Sequence, residues 1–332
     1  MWKLGLFQHM DMFKIRKNDS EDGYDKVVKS GWNYGGAAAF LSLFGPSVWS
    51  REASKYRFVH AGSPHFFHMS KYVPMCTGTV TDMFYLDQLN RRDNPLGFRT
   101  YFKRVMRYVD KLAGVVTISA ATERRVKELY PKANTRTIHL WTSPHFNPRD
   151  RNEARERLQL PKDKIILLSV SSDIRRKNIE ILPPILESLG PDYLLLRIGP
   201  SGIIESKFRK GALLSYPSVS DELYPLFFNA ADVFLMPSRD EGFGIPIIEA
   251  VNSGIPVVAS DVAVFQEILR KSYPFYANPD KPDDWVGKVR EATARYAGKG
   301  GIPSIYNDIG DYYREGRALK EFSEFFKKLG VT

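Results

Sequence analysis

Two glutamates, Glu241 and Glu249, stand with seven residues between them in the stretch PSRDEGFGIPIIEAVNSGIPVVAS, residues 237–260. Between them Gly242 and Gly244 flank Phe243, and Ile245-Pro246 opens an apolar run with helical spacing. Glycines there let backbone N–H groups approach a ligand closely. The helix N-terminus that Pro246 suits favours an anion such as a diphosphate. Glu249, about one turn into that helix, can accept hydrogen bonds from vicinal hydroxyls, as acidic residues do with ribose in dinucleotide folds. It can equally be an acid of the first turns interacting with the helix dipole, and Glu241 can be a solvated loop acid. On pattern alone those plainer readings win. The complementary charge lies upstream in SSDIRRKN, residues 171–178, where Lys177 can neutralise a diphosphate leaving group. Arg175 and Arg176 carry the same charge, with a solvated surface cluster as their alternative.

The segments carrying these residues alternate between continuous apolar runs and helical patterns. IILLSV (165–170), YLLLRIG (193–199), ALLSYP (212–217), DVFLMP (232–237) and IPVVAS (255–260) read as buried strands. Three intervening segments read as helices. IEILPPILESLG (179–190) is kinked or delayed by Pro183 and Pro184, and SVSDELYPLFFNA (218–230) starts near Ser218 or Ser220. IPIIEAVNSG (245–254) is ended by Gly254. This alternation implies a parallel sheet covered by helices on both faces, a doubly wound α/β domain. In such a domain ligands bind beyond the C-terminal strand ends, which is the edge where Lys177 and the glycine loop fall.

The first half is read more coarsely. KVVKSGWNYGGAAAFLSLFG (26–45) fits a strand, a glycine turn and a helix; YRFVHAGSP (56–64), CTGTVTDMFYL (76–86) and GVVTIS (114–119) fit strands ending in polar loops. FRTYFKRVMRYVDKLAG (98–114) is an amphipathic helix. Phe98, Tyr101, Phe102, Val105, Met106, Val109 and Leu112 form its apolar face; Arg99, Lys103, Arg104, Arg107 and Lys111 line the other. Core against water is its ordinary setting, and a membrane surface against the basic face is the minority one.

The 332 residues suffice for two domains, and 43% hydrophobic content describes an ordinary globular chain. No apolar run approaches the ~20 residues that span a bilayer. The start shows no cleavable signal pattern, so cytoplasm is the expected compartment. Cys76 is the only cysteine, which excludes a disulfide framework. His60, His65 and His68 are close together but lack an HExxH pattern, so zinc is not expected. GxxxxGK[ST] and GxSxG are absent. Residues 1–145 hold 22 Lys and Arg against 12 Asp and Glu, the whole net charge of +10; the other 26 basic and 26 acidic residues cancel. The first half therefore suits an anionic partner, whether phosphate-bearing substrate, lipid surface or nucleic acid, or is simply a solvated basic face.

With VSSDIRRKN and SVSDELYPLFFNAADVFLMPSRDEGFGIPIIEAVNSGIPVVASD in view, the chain resembles the family-4 type of retaining glycosyltransferases, the group 1 glycosyl transferases with the GT-B fold. The resemblance runs from about 165 to 270. It implies an α/β architecture of two facing Rossmann-like domains with parallel sheets. Residues 1–145 would form an abbreviated acceptor domain, onto which a helix at 316–332 packs back, and residues 146–315 the nucleotide-sugar domain. Carried over, Glu249 binds the ribose hydroxyls and Lys177 the diphosphate. Ser238 and Glu241, Gly242, Phe243 and Gly244 surround the sugar and phosphates, and Val219, between Ser218 and Ser220, lies by the base. Gly35 and Gly36 correspond to a glycine turn meeting the phosphates. Family members often carry arginine where this chain has Ser172, a loss that Arg175 or Arg176 can compensate. Thr81-Asp82 stands where many relatives have His-Asp, which leaves Asp82 as a catalytic candidate beside Lys177 and Glu241. His60, His65 and Thr81 are then the acceptor-side candidates.

The implied reaction moves a sugar from a nucleotide-diphosphate donor, UDP- or GDP-linked, to the hydroxyl of a glycan, lipid-linked or other acceptor. It needs no metal or cofactor. An anionic membrane surface is a further partner for the basic half, and nucleic acid an unfavoured one. Two other readings stand beside it: a non-catalytic sugar-nucleotide-binding protein, motivated by Thr81 and the short first domain, and a transferase or binder acting on nucleic acid.

Overall fold

A computed structural model describes residues 54, 56–84, 86, 96–200, 204–296 and 303–331, with the backbone of two short strands at 13–16 and 26–29. The chain divides into two units, Met1–Ile138 with Gly316–Thr332, and His139–Glu315.

In the first unit β1 (Phe13–Arg16) and β2 (Lys26–Lys29) form a parallel pair. A separate four-stranded parallel sheet has the order β3 (Phe58–Ala61), β4 (Met75–Val80), β5 (Gly114–Thr117), β6 (Thr135–Thr137). Parallel neighbours need a crossover. Helix α1 (Leu96–Met106) lies between β4 and β5, and α2 (Ala120–Leu129) between β5 and β6. Helix α1 buries Tyr101, Phe102, Val105 and Met106, and Val109 and Leu112 join the same core just beyond it. Lys103, Arg104, Arg107 and Lys111 are exposed, as the amphipathic pattern requires. The C-terminal helix, Glu315–Lys328, sets its Phe326 ring edge-on against Phe58 of β3 at 5.3 Å.

The second unit is built on a six-stranded, wholly parallel sheet. Its strands are β7 (Ile165–Val170), β8 (Tyr193–Ile198), β9 (Leu213–Tyr216), β10 (Val233–Met236), β11 (Val257–Ser260) and β12 (Tyr276–Ala277). They lie in the order β12-β11-β10-β7-β8-β9. The apolar runs become strands almost residue for residue, because a strand covered on both faces has no polar side to show. Asp232, just before β10, ties the layers together. It accepts from Arg155 at 2.6 Å, Arg151 at 2.6 Å and the Ile166 N–H at 2.7 Å, linking α3 (Arg151–Arg157) to two strands.

Two helix starts differ from the sequence reading, both through proline. Helix α4 (Leu182–Leu189) follows a 3-10 turn at Ile179–Ile181, with Pro183 and Pro184 in its first turn. There a missing N–H breaks no helical bond, so the prolines delay the helix without kinking it. Helix α5 begins at Tyr224 and runs to Ala230, not from Ser218 or Ser220. An earlier start would put Pro225 in the helix interior, against the carbonyl of Asp221. Instead the Ser220 carbonyl accepts the Leu223 and Tyr224 N–H groups, and the helix opens from that turn.

Candidate functional site

The sheet order decides which loops meet. β10 pairs directly with β7 although more than sixty residues separate them, so the loops leaving their C-terminal ends are neighbours. After β7 the chain turns through Ser171–Ile174 into a 3-10 turn, Arg175–Lys177, closed by Asn178 in the left-handed region at φ 54°. After β10 it forms the glycine loop. The two loops are tied by backbone, the Arg239 N–H donating to the Arg176 carbonyl at 2.8 Å.

The side chains complete the junction. Lys177 Nζ donates to Glu241 Oε1, and Arg176 Nη1 donates to Glu241 Oε2 at 2.9 Å and to the Asp240 carbonyl at 3.3 Å. Glu241 is 8% exposed, so it is not a solvated loop acid. Two cations against one carboxylate leave this trio with one net positive charge. They stand beside the N-terminus of α6 (Ile245–Asn252), whose unpaired N–H groups add positive potential. Gly244 caps that helix at φ +123°, a conformation L side chains rarely adopt, and a Cβ there would lie 3.1 Å from the Phe265 ring. The buried Ser238 hydroxyl, just beyond β10, has no hydrogen-bond partner among the described residues.

Glu249 lies one turn into α6 and is 7% exposed. Tyr224, at the start of α5, donates its hydroxyl to Glu249 Oε2 at 2.9 Å. Burial pushes the carboxyl from 4.5 up to about 7, and the Tyr224 bond only partly offsets this. Burial and the nearby carboxylate together hold the Tyr224 phenol well above its ordinary value. A buried carboxylate with one hydrogen bond retains acceptor capacity for two hydroxyls.

Phe243 is buried and stacks on His139 at 5.8 Å between centroids. His139 bonds Glu267 at 2.5 Å, and Tyr312 and Tyr313 pack around the same ring. Sequence reasoning missed both His139 and Tyr224. His139 lies outside every motif, whereas Tyr224 lies within the SVSDELYPLFFNA stretch, where a tyrosine just before proline at a helix start was a usable signal.

The remaining candidates are spread more widely. Ser172 and Val219 are half-buried, on the loop after β7 and on the segment between β9 and α5. Gly35, Gly36 and the side chain of His65 lie outside the described residues. In the first unit Thr81 is exposed, and Asp82 accepts from the Phe84 N–H at 3.3 Å in the loop after β4. Both ring nitrogens of His60 are engaged, Nδ1 with Thr77 at 2.8 Å and Nε2 with Thr79 at 3.0 Å. Burial lowers this histidine to about 4, so the ring is neutral near pH 7 and serves the packing of β3 on β4. Among the described residues no group of three His, Cys, Asp or Glu side chains is placed to hold a metal ion.

Residues 150–296, which contain this arrangement, match the family model described as "Glycosyl transferases group 1". The O-antigen biosynthesis glycosyltransferase WclY of Escherichia coli is 30% identical over 123 residues, 35% of this chain and 34% of that protein. The match thus spans about a third of that relative's length. Sucrose-phosphate synthase from Thermosynechococcus elongatus superposes with a TM-score of 0.79 at 18% identity, covering 97% of this chain and 89% of that one. HepE from Anabaena, solved in complex with UDP-glucose, superposes at 0.73 and 14% identity, covering 91% and 85%. These likenesses show the fold: α/β, with two parallel sheets, as in GT-B glycosyltransferases.

Proposed function

We propose that this chain, which carries a group 1 glycosyltransferase domain over residues 150–296, transfers a sugar from a nucleotide-diphosphate donor to an acceptor hydroxyl with retention at the anomeric carbon. The observation carrying this is the convergence of Arg176 and Lys177 on Glu241, beside the α6 N-terminus and one turn from Glu249. All lie beyond the C-terminal ends of one parallel sheet, where such folds bind nucleotides.

In this reading Glu249 holds the ribose hydroxyls, with Tyr224 orienting its carboxylate. Lys177 and Arg176 exchange the Glu241 carboxylate for the donor diphosphate, and Arg176 supplies the cation that Ser172 cannot. Glu241, released from the pair, turns to the sugar. As the bond from the anomeric carbon to the diphosphate oxygen breaks, its electron pair passes to the diphosphate. The acceptor oxygen bonds to that carbon from the same face, and its proton goes to the leaving oxygen. Negative charge grows on the diphosphate, where the two cations and the helix N-terminus stabilise it without requiring a divalent ion, while the sugar takes on oxocarbenium-like positive charge. UDP- and GDP-sugars are the donors, a glycan or lipid-linked hydroxyl the acceptor, and Asp82 and Thr81 belong to the acceptor side. The exposed Lys103, Arg104, Arg107 and Lys111 suit an anionic membrane surface.

A panel of UDP-, GDP- and ADP-sugars with mixed acceptors tests this. Nucleoside diphosphate should appear only when a competent acceptor is present, and chelation should leave the rate unchanged. Tight binding without release or transfer across a broad acceptor panel favours a sugar-nucleotide-binding protein. Failure to bind any nucleoside diphosphate overturns the site altogether.

A further inference from the structure

We infer that Arg197, in the interior of the sheet, is an additional anion-recognition charge of this site, acting on the loop after β7 from beneath; the inference rests on the reading proposed above.

Arg197 sits near the end of β8, in register with Ser169 of β7 and Ser215 of β9. It is fully buried at 0% exposure, in a strand otherwise made of apolar side chains and a tyrosine. Its guanidinium turns toward the C-terminal ends of the strands. Nη1 donates to the Gly199 carbonyl at 2.9 Å and Nη2 to the Ser171 carbonyl at 3.2 Å, while Nε has no partner among the described residues. The comparison within the same unit is Arg155, 1% exposed. Arg155 bonds Asp232 at 2.6 Å and three carbonyls besides, which neutralises a buried charge as a structural role demands. Among the described residues Arg197 has no ion pair of that kind. Asp173 and Glu205 attract it only at longer range, from the loops above, and burial lowers its proton affinity without removing the charge.

The backbone around it is shaped to the same end. Gly199 has φ +129°, and a Cβ there would lie 2.1 Å from the Ser171 carbonyl oxygen. Glycine thus lets the turn after β8 close on the carbonyl that Arg197 holds. Ser171 begins the segment that runs through Ser172 to Arg176 and Lys177. The guanidinium therefore staples the start of that segment and leaves beneath it a positive charge that no close carboxylate among the described residues compensates. A buried cation in a low-dielectric interior attracts a nearby anion more strongly than an exposed one does.

A charge role and a packing role predict different selectivities. Affinities of uridine, UMP and UDP, and of the guanosine series, should be measured for the wild type, Arg197→Met and Arg197→Gln. Gln retains an N–H donor for one of the two carbonyls and so covers the event that the Met variant does not fold. The neutral variants should weaken the diphosphate about tenfold or more, the monophosphate less and the nucleoside hardly at all; Arg197→Lys should restore most of the diphosphate affinity. An equal loss for all three ligands, or UDP and GDP affinities within about twofold of wild type in a folded variant, overturns the inference. Wild-type protein that binds neither UDP nor GDP overturns the proposed function instead, so the two failures are distinguishable.

Discussion

Replacing Glu249 with glutamine should stabilise the free protein while weakening its grip on nucleotide. Burial raises this carboxyl from 4.5 to about 7, so the folded chain holds the proton more tightly than the unfolded chain does. Below about pH 4.5 both states are protonated and the group costs nothing. As the pH rises toward 7 the unfolded chain ionises first, and stability falls; above 7 the full penalty stands. The gap corresponds to about 3.5 kcal/mol as an upper bound, at about 1.4 kcal/mol per pH unit. Glutamine has the same shape, still accepts from the Tyr224 hydroxyl, and carries no charge. The variant should therefore unfold at the same temperature as wild type near pH 4.5 and several degrees higher at pH 8. His60 runs the other way: lowered from 6.5 to about 4, it makes the fold lose stability as pH falls through that window. Only the difference between variant and wild type at each pH isolates Glu249, because the His60 contribution cancels. Thermal unfolding at pH 5, 6, 7 and 8 measures it, and nucleoside diphosphate affinity at pH 8 should fall about tenfold or more as charge-assisted hydrogen bonds to ribose are lost. Curves that run parallel across this range would refute the claim that a buried carboxylate is held here against its solvation.

Three further outcomes are expected. Lys177→Ala should lower turnover about a hundredfold to a thousandfold with a smaller change in donor KM, as loss of a group that meets developing charge does; a change confined to KM refutes the leaving-group role. Asp232→Asn leaves Arg155 buried without its counter-charge, and should cost about 3–5 kcal/mol in chemical unfolding of the second unit without altering nucleotide selectivity. His60→Gln should flatten the acid limb of the stability profile between about pH 6.5 and 4; an unchanged limb would mean that another group controls it.

The parts of the fold that were readable in advance are those set by local pattern. The β7, β8, β10 and β11 runs are apolar throughout, which in a chain alternating with helices leaves little but a central parallel strand. The α1 register follows from its spacing alone. The start of α5 was missed because serine and acidic residues at 218–222 make an attractive opening, while Pro225 imposes a stricter limit. His60 looked available in a histidine-rich stretch, yet its partners Thr77 and Thr79 lie on the next strand, where sequence spacing does not point.

The sequence by itself determined which residues could do chemistry and that they sit at strand ends. Glycine, proline and apolar runs act over a few residues, and that is the range over which a chain constrains itself. Which of those residues meet was decided by the sheet. Placing β10 beside β7 brings Glu241 onto Arg176 and Lys177 across more than sixty residues, and placing α5 beside α6 gives Glu249 its tyrosine. Burial does the rest. It turns a loop acid into a clamped carboxylate and moves Glu249 to about 7. It leaves Arg197 charged in the interior, with no carboxylate of the described residues in contact with it. Solvation is a property of the packed surroundings, and no short stretch of the chain specifies it.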